Sequence, residues 1–383
     1  MKTIQFLFTA IVFIMFFSCS SNKIDNYQLK ESNINKSFNL DSNTKNSIYF
    51  LAQYISKDGK EYLTFQNEKK NEILFYDINT SLLSFKIEPK IDGDNGVGRF
   101  LGYYIQNLDS IYLTNYDFQE IAIINKNAIV KDKINYEKAD NGTALSFFCF
   151  ITHVYRPATV IGRKMYIYSG PNRWVENAPV AAILDLDTKS IQALPFTYPQ
   201  YEGSKVKRKQ YGWENDYSRC FDGKRFIYSF DYEEDLYVTS TINHDSIYRV
   251  KAKSKFIPKV NWPPEFGYDP DRLCTNQRYG NILYDKYRNV YYRIAYPKTE
   301  IDWTKEKVRS MELLEYGGKN FSIIILDKDL NYIGETKFQD YTYNSKLILI
   351  MKDGIYISNS HYMNPNFSDD LLSFIRFDLI KNT

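Results

Sequence analysis

Six basic residues stand just ahead of six apolar, strand-like stretches: Lys45, Arg99, Arg156, Arg225, Arg278 and Lys346. If those stretches line a common channel, the cations ring its mouth, where low-dielectric walls focus a positive field on an anionic or polyhydroxylated ligand. The same six residues serve equally well as solvated strand-start charges or as bridges between neighbouring sheets. All three histidines fall on the same side. His153 precedes the third stretch, and His244 and His361 lie between strands further along. Trp174 and Trp303, in long loops, are placed to stack on a sugar or peptide, or to pack those loops down. The candidate ligand-contacting residues are therefore Arg99, Arg156, Arg225, Arg278, Lys346, Trp174, Trp303 and His361.

Covalent chemistry has less to stand on. GxSxG, HExxH, P-loop and EF-hand patterns are all absent from the sequence. The histidines fall in separate repeats and no CxxC occurs, so neither a metal nor another cofactor is expected. Glu176, Asp216, Asp302 and Asp369 are loop carboxylates on the same side. A pair of them at the right separation would do the acid/base work of a glycan hydrolase or lyase, which stands as the alternative to a binding role.

The elements that position these residues repeat. A tyrosine sits second in a short strand at Tyr62, Tyr112, Tyr166, Tyr237, Tyr291 and Tyr356, at intervals of 50, 54, 71, 54 and 65 residues. Ahead of each lies an apolar stretch, at 48–55, 100–106, 158–161, 226–230, 281–284 and 347–351. The turn between them is clearest at Asp353-Gly354, since Asp-Gly supplies the positive φ of a tight hairpin. A third strand follows each tyrosine strand, and several end in an Asx turn such as Asp77-Ile78-Asn79-Thr80 or Asp185-Leu186-Asp187-Thr188. A fourth strand is present in five copies. Four antiparallel strands per unit, repeated six times, predict an all-β, six-bladed β-propeller. The sixth copy lacks its outer strand, while residues 27–40 have no repeat of their own. We expect part of that segment, nearest 37–40, to complete the last blade and remove an open edge. Residues 301–316 have helical spacing at Val308, Met311 and Leu314 and predict one short amphipathic helix.

The whole chain agrees with this picture. Its 383 residues include 34 Tyr and 26 Phe, which favour pleated, half-buried surfaces. A net charge of +3 gives no footing for nucleic-acid binding. At the front, Lys2, an apolar run to Phe17, and Ser18-Cys19 followed by polar residues resemble a bacterial lipoprotein signal, with Cys19 lipidated. The expected organisation is a signal over 1–18, a lipidated Cys and tether over 19–36, and a propeller over 37–383. Of the remaining cysteines, Cys149 has apolar neighbours, and Cys220 and Cys274 are free to pair or not.

Together the lipoprotein start, the tyrosine strands and the Asp-x-Asx turns resemble the uncharacterised six-bladed, TolB-like propeller lipoproteins of Bacteroidetes. That resemblance implies a fold and an address: a lipid-anchored protein of the bacterial envelope, in the outer membrane. It implies no activity. The expectation is an envelope propeller that binds a glycan, peptide or protein ligand on its loop-rich face, with a membrane partner through Cys19 and no nucleic acid.

Overall fold

The computed structural model describes residues 26–145, 152–169, 179–199, 216–260 and 269–382. Nearly all regular structure is β, arranged as consecutive antiparallel sheets. The first holds β2 (Leu51–Ile55), β3 (Glu61–Asn67), β4 (Glu72–Asp77) and β5 (Leu83–Ile87). The second holds β6 (Phe100–Asn107), β7 (Ser110–Asn115), β8 (Glu120–Ile124) and β9 (Val130–Asn135). The third holds β10 (Thr159–Ile161), β11 (Lys164–Tyr168), β12 (Ala181–Asp185) and β13 (Ile191–Ala193). The fourth holds β14 (Tyr217–Phe221), β15 (Phe226–Phe230), β16 (Asp235–Thr239) and β17 (Ile247–Lys251). A fifth, eight-stranded sheet contains β18 (Arg278–Asp285), β19 (Val290–Tyr296), β20 (Ser322–Leu326) and β21 (Tyr332–Lys337), followed in space by β1 (Tyr27–Asn39), β24 (Leu371–Lys381), β23 (Gly354–Ser358) and β22 (Asn344–Met351). It divides into two antiparallel groups of four, joined by one parallel contact between Tyr27 and Gly334. The architecture is propeller-like.

Local chemistry explains the regularity. Strands two and three of a sheet are covered on both faces, as in the wholly buried β4, so aromatic side chains fill the gaps between sheets. Phe75 stacks on Phe85 at 4.3 Å and meets Tyr62 edge-on at 5.9 Å. The expected Asx turns form. Asp77 Oδ1 accepts from the backbone N–H groups of Asn79 and Thr80 at 2.8 and 3.0 Å, and Asp185 and Asp327 do the same for their own turns.

The closing strand lies in the predicted segment but is longer than predicted. β1 pairs antiparallel with β24 from Tyr27↔Lys381 to Asn39↔Leu371, so residues 27–36, expected as tether, are strand. Phe38 is fully buried, edge-on to Tyr76 and Phe374.

Two other expectations change. In the fourth sheet the first strand is β14, and 226–230 is the second strand. Tyr237 therefore lies in the third strand, and Tyr228 holds the position equivalent to the other tyrosines. With Tyr228 the intervals become 50, 54, 62, 63 and 65, more even than before. The sequence hides β14 because its Ser218, Arg219 and Cys220 do not look like a buried strand. Ser218 and Arg219 are buried, and Cys220 partly so, because the neighbouring sheet supplies partners. Ser218 Oγ donates to the Tyr155 carbonyl at 2.6 Å, and Arg219 Nη2 to the Tyr166 carbonyl at 3.0 Å. Residues 301–316 form two helices, α2 (Trp303–Glu306) and α3 (Ser310–Glu315), separated by Lys307 in the left-handed region; α1 (Pro270–Thr275) precedes β18. Leu313 rather than Met311 is buried.

Candidate cavity at the strand-start end

In an antiparallel hairpin the start of the first strand and the end of the second share one end of the sheet. At that end lies a cavity of about 410 Å³. Its wall comes from residues just before β2 (Tyr49) and β10 (His153, Tyr155, Arg156), from the starts of β14, β18 and β22, and from the ends of β11 (Tyr168) and β19 (Tyr296). Asp231 follows β15, and Leu273 of α1 and Leu314 of α3 supply apolar wall.

Bulges aim these side chains. Pairing slips between Asn344 and Ile348 in β22, around Lys346, and between Tyr279 and Ile282 in β18, just past Arg278. A bulge leaves backbone groups unpaired within its own hairpin and bends the strand. Here the amide of Ile282 is taken up by the neighbouring sheet, bonding Ser218 Oγ at 2.9 Å. Gly280 is required in that bulge, because a Cβ there would meet the Tyr296 ring at 2.8 Å.

Three cations and two carboxylates face the cavity. Arg156 is an ion-paired partner of Asp216, donates to the Tyr217 carbonyl at 3.1 Å, and lies 3.8 Å over the Tyr168 ring. Arg278 lies 4.0 Å over the Tyr296 ring, 3.6 Å from Asp231, and donates through Nε to the Leu273 carbonyl at 3.3 Å. Lys346 differs. Its ammonium has no hydrogen bond or ion pair among the described residues, only the Tyr49 ring at 5.5 Å. Burial, then the charge of Arg278, pulls its pKa down to about 8. Asp231 moves the other way: burial pushes its carboxyl up to about 7, with Arg278 pulling back and Asp216 pushing further. His153 is held neutral, well below its usual range, by burial and by Arg156 and Lys346. Its Nδ1 has no hydrogen-bond partner among the described residues.

Only part of the expected site assembles. Arg156, Arg278 and Lys346 line the cavity. Arg99 is 61 % exposed, paired with Asp117 at 3.1 Å, and the β6–β9 sheet contributes nothing to the wall. Lys45 is exposed. Arg225 sits at the opposite end of its sheet, because 226–230 is a second strand. It closes the Asp222 turn at 2.8 Å and donates to the Lys328 carbonyl at 2.8 Å, a bridge to the next sheet. In the fourth sheet the strand-start position carries Asp216, which is why Arg156 has a partner. His361 is fully buried away from the cavity, with Nε2 donating to the Gly318 carbonyl at 3.1 Å and Nδ1 accepting from the Met363 amide at 3.2 Å. His244 is likewise structural, held by Tyr228 and the Ile242 carbonyl. Trp303 opens α2, half-buried and outside the wall. Asp302 caps that helix through the Lys305 amide at 3.0 Å, and Asp369 is exposed. Cys220 and Cys274 are both free thiols. Trp174, Glu176, Cys149 and Cys19 lie outside the described residues. Asp231 and the cavity tyrosines were missed; the alternation of strands marks where a hairpin ends, but not which ends converge.

A second hollow, about 780 Å³, lies at the hairpin-turn end, with Lys36, Lys286 and Lys352 among its lining residues. Among the described residues, no group of three or more His, Cys, Asp or Glu could hold a metal ion, and no helix is long and apolar enough to cross a membrane.

Sheet order and cavity define an all-β, propeller-like protein with a charged, tyrosine-walled cavity at one end. The sequence pattern of the domain of unknown function DUF4221 matches residues 26–337, and the chain belongs to that family. A solved DUF4221 member from Bacteroides vulgatus is 25% identical, with a TM-score of 0.78 over 94% of this chain and 99% of that one. A Bacteroides fragilis protein, named only as a candidate for export, shares the fold at 9% identity, with a TM-score of 0.52 over 94% and 98% of the two chains. No curated protein matches the chain in sequence.

Proposed function

We propose that the protein is a six-bladed β-propeller of the cell envelope that binds a small polar ligand in the cavity at the strand-start end. Counting the two halves of the eight-stranded sheet separately supports six blades, the last closed by β1. The sequence around Cys19 supports a lipid anchor and the outer membrane, in line with the resemblance to TolB-like propeller lipoproteins; replacing Cys19 by Ser should abolish incorporation of a labelled fatty acid. The observation that carries the binding reading is Lys346, an ammonium in the cavity wall with no partner among the described residues, beside Arg278. Cations drawn even partly out of water are normally paired, and an unpaired one in a cavity wall is suited to a ligand. A thermal-shift screen against glycans, peptides and organic acids tests this. The double variant R278Q/K346M should lose any hit, while R99Q keeps it; loss with R99Q alone would contradict the reading.

The alternative, a glycan hydrolase or lyase, draws on one observation. Asp216 and Asp231 share the cavity, with Asp216 tied to Arg156 and Asp231 pushed up to about 7 by burial. Two carboxylates in unlike environments are the arrangement acid/base catalysis uses. Turnover of a polysaccharide, lost in D231N, would favour it.

A further inference from the structure

The charges in the cavity are not all paired. Arg156 and Asp216 form a closed pair, further tied by the Tyr217 carbonyl and the Tyr217 amide at 3.1 and 2.8 Å. Arg278 and Asp231 are only loosely paired at 3.6 Å, and Lys346 has no partner among the described residues. Among the described residues, Lys346 is thus the cation of the wall that no carboxylate reaches at ion-pair distance, although Glu315 and Asp231 act on it from further away. We infer that the ligand carries a single carboxylate, received between Lys346 and Arg278, on a ring-shaped or apolar body that packs against the tyrosine and leucine wall. This rests on the cavity being a ligand site at all.

Three features favour a carboxylate over other anions. The two oxygens of a planar carboxylate can meet one cation each, the Arg278 guanidinium and the Lys346 ammonium. A phosphate dianion would bring one charge too many into a space that already holds Asp216 and Asp231. Leu273, Leu314 and the Tyr49 ring offer apolar surface next to the two cations, and about 410 Å³ is the scale of a small-molecule site.

The groups facing Lys346 make binding depend on protons. They are Arg278 from β18, Asp231 after β15, Glu315 on α3, Cys274 on α1, Tyr49 before β2 and the neutral His153 before β10. Burial pushes Cys274 up to about 12, so it stays a neutral thiol, and burial, then Glu315, raises Tyr49, which stays a neutral phenol. That leaves Lys346 and Asp231 to titrate near neutrality. An incoming carboxylate favours the charged ammonium and the protonated Asp231, so it takes up protons and binds best at the acid side of neutral.

The test is calorimetric titration of the full chain with a hexuronate, an aromatic carboxylic acid and a dipeptide, against galactose and inorganic phosphate. It is run at about pH 6.5 and about pH 9, at matched ionic strength. The inference expects at least one monocarboxylate to bind, with affinity about tenfold or more weaker at the higher pH. K346M should abolish the interaction, while K346R, which keeps the charge, retains it. Which of the three acids binds identifies the source. Phosphate or neutral galactose binding as well as the acids would overturn the single-carboxylate inference and leave a cavity ligand in place. Absence of any binding to the cavity would overturn both readings.

Discussion

An ammonium group that folds into a cavity without an ion-pair partner costs folding free energy, and Lys346, between Arg278 and Tyr49, has none among the described residues. Its pKa of about 8 in the folded chain lies below the 10.5 of an ordinary lysine. The cost is therefore fully present below pH 8, shrinks as pH rises toward 10.5, and is gone above. K346M should stabilise the free protein by about 1–3 kcal/mol at neutral pH, and by little in strong base. Chemical denaturation at two pH values checks this; a destabilised variant would mean that the ammonium has a partner. The histidines follow the same sign at lower pH. His244 and His361 are pulled down to about 4 chiefly by burial, so both are neutral when folded. Unfolded histidine binds protons near pH 6.5. Keeping these two neutral therefore costs nothing above that value, and stability falls as pH drops from 6.5 toward 4. Proton NMR should find both ring protons silent to titration until about pH 4, and a midpoint near 6.5 would contradict the burial.

At the scale of elements, β1 has the largest effect on the whole. It turns a three-stranded end into a closed one, and Phe38 is the side chain that seats it against Tyr76 and Phe374. F38A should cost about 3–5 kcal/mol in a denaturant melt, the usual range for emptying such a site. A loss under 1 kcal/mol would mean that β1 is dispensable. This closure was legible from the sequence because the count of strands came up one short at the end and one over at the start. The fourth sheet was less so. A strand reading Tyr-Ser-Arg-Cys-Phe carries polar residues whose burial makes sense only once Tyr155, Pro157 and Tyr166 of the preceding sheet supply acceptors. Missing β14 moved Arg225 to the wrong end. The same limit applied to the ring of cations: spacing identified strand starts, but the bulges that turn Lys346 and Arg278 inward leave no periodic trace, and neither does Asp231 after its hairpin.

Across the whole molecule, sheets are locked by buried polar groups as much as by aromatic packing. Arg293, with no exposed surface, donates to Ser229 Oγ at 2.9 Å and to the carbonyls of Glu234, Ala252 and Glu233 at 2.7, 3.0 and 2.6 Å, all in or beside the preceding sheet. Glu335 accepts from Ser254 and Ser322 hydroxyls at 2.6 Å each. R293M would remove four buried hydrogen bonds and should cost about 3–5 kcal/mol, read as a lower unfolding midpoint. Such locks hold the cavity walls in place, since Tyr217, Arg278 and Lys346 belong to three different strands. The most direct test of the central claim is a crystal structure of the full chain grown with the ligand that the screen selects. The account predicts ligand density between Arg278 and Lys346 at the strand-start end. Density confined to the opposite hollow, beside Lys36, Lys286 and Lys352, would contradict it.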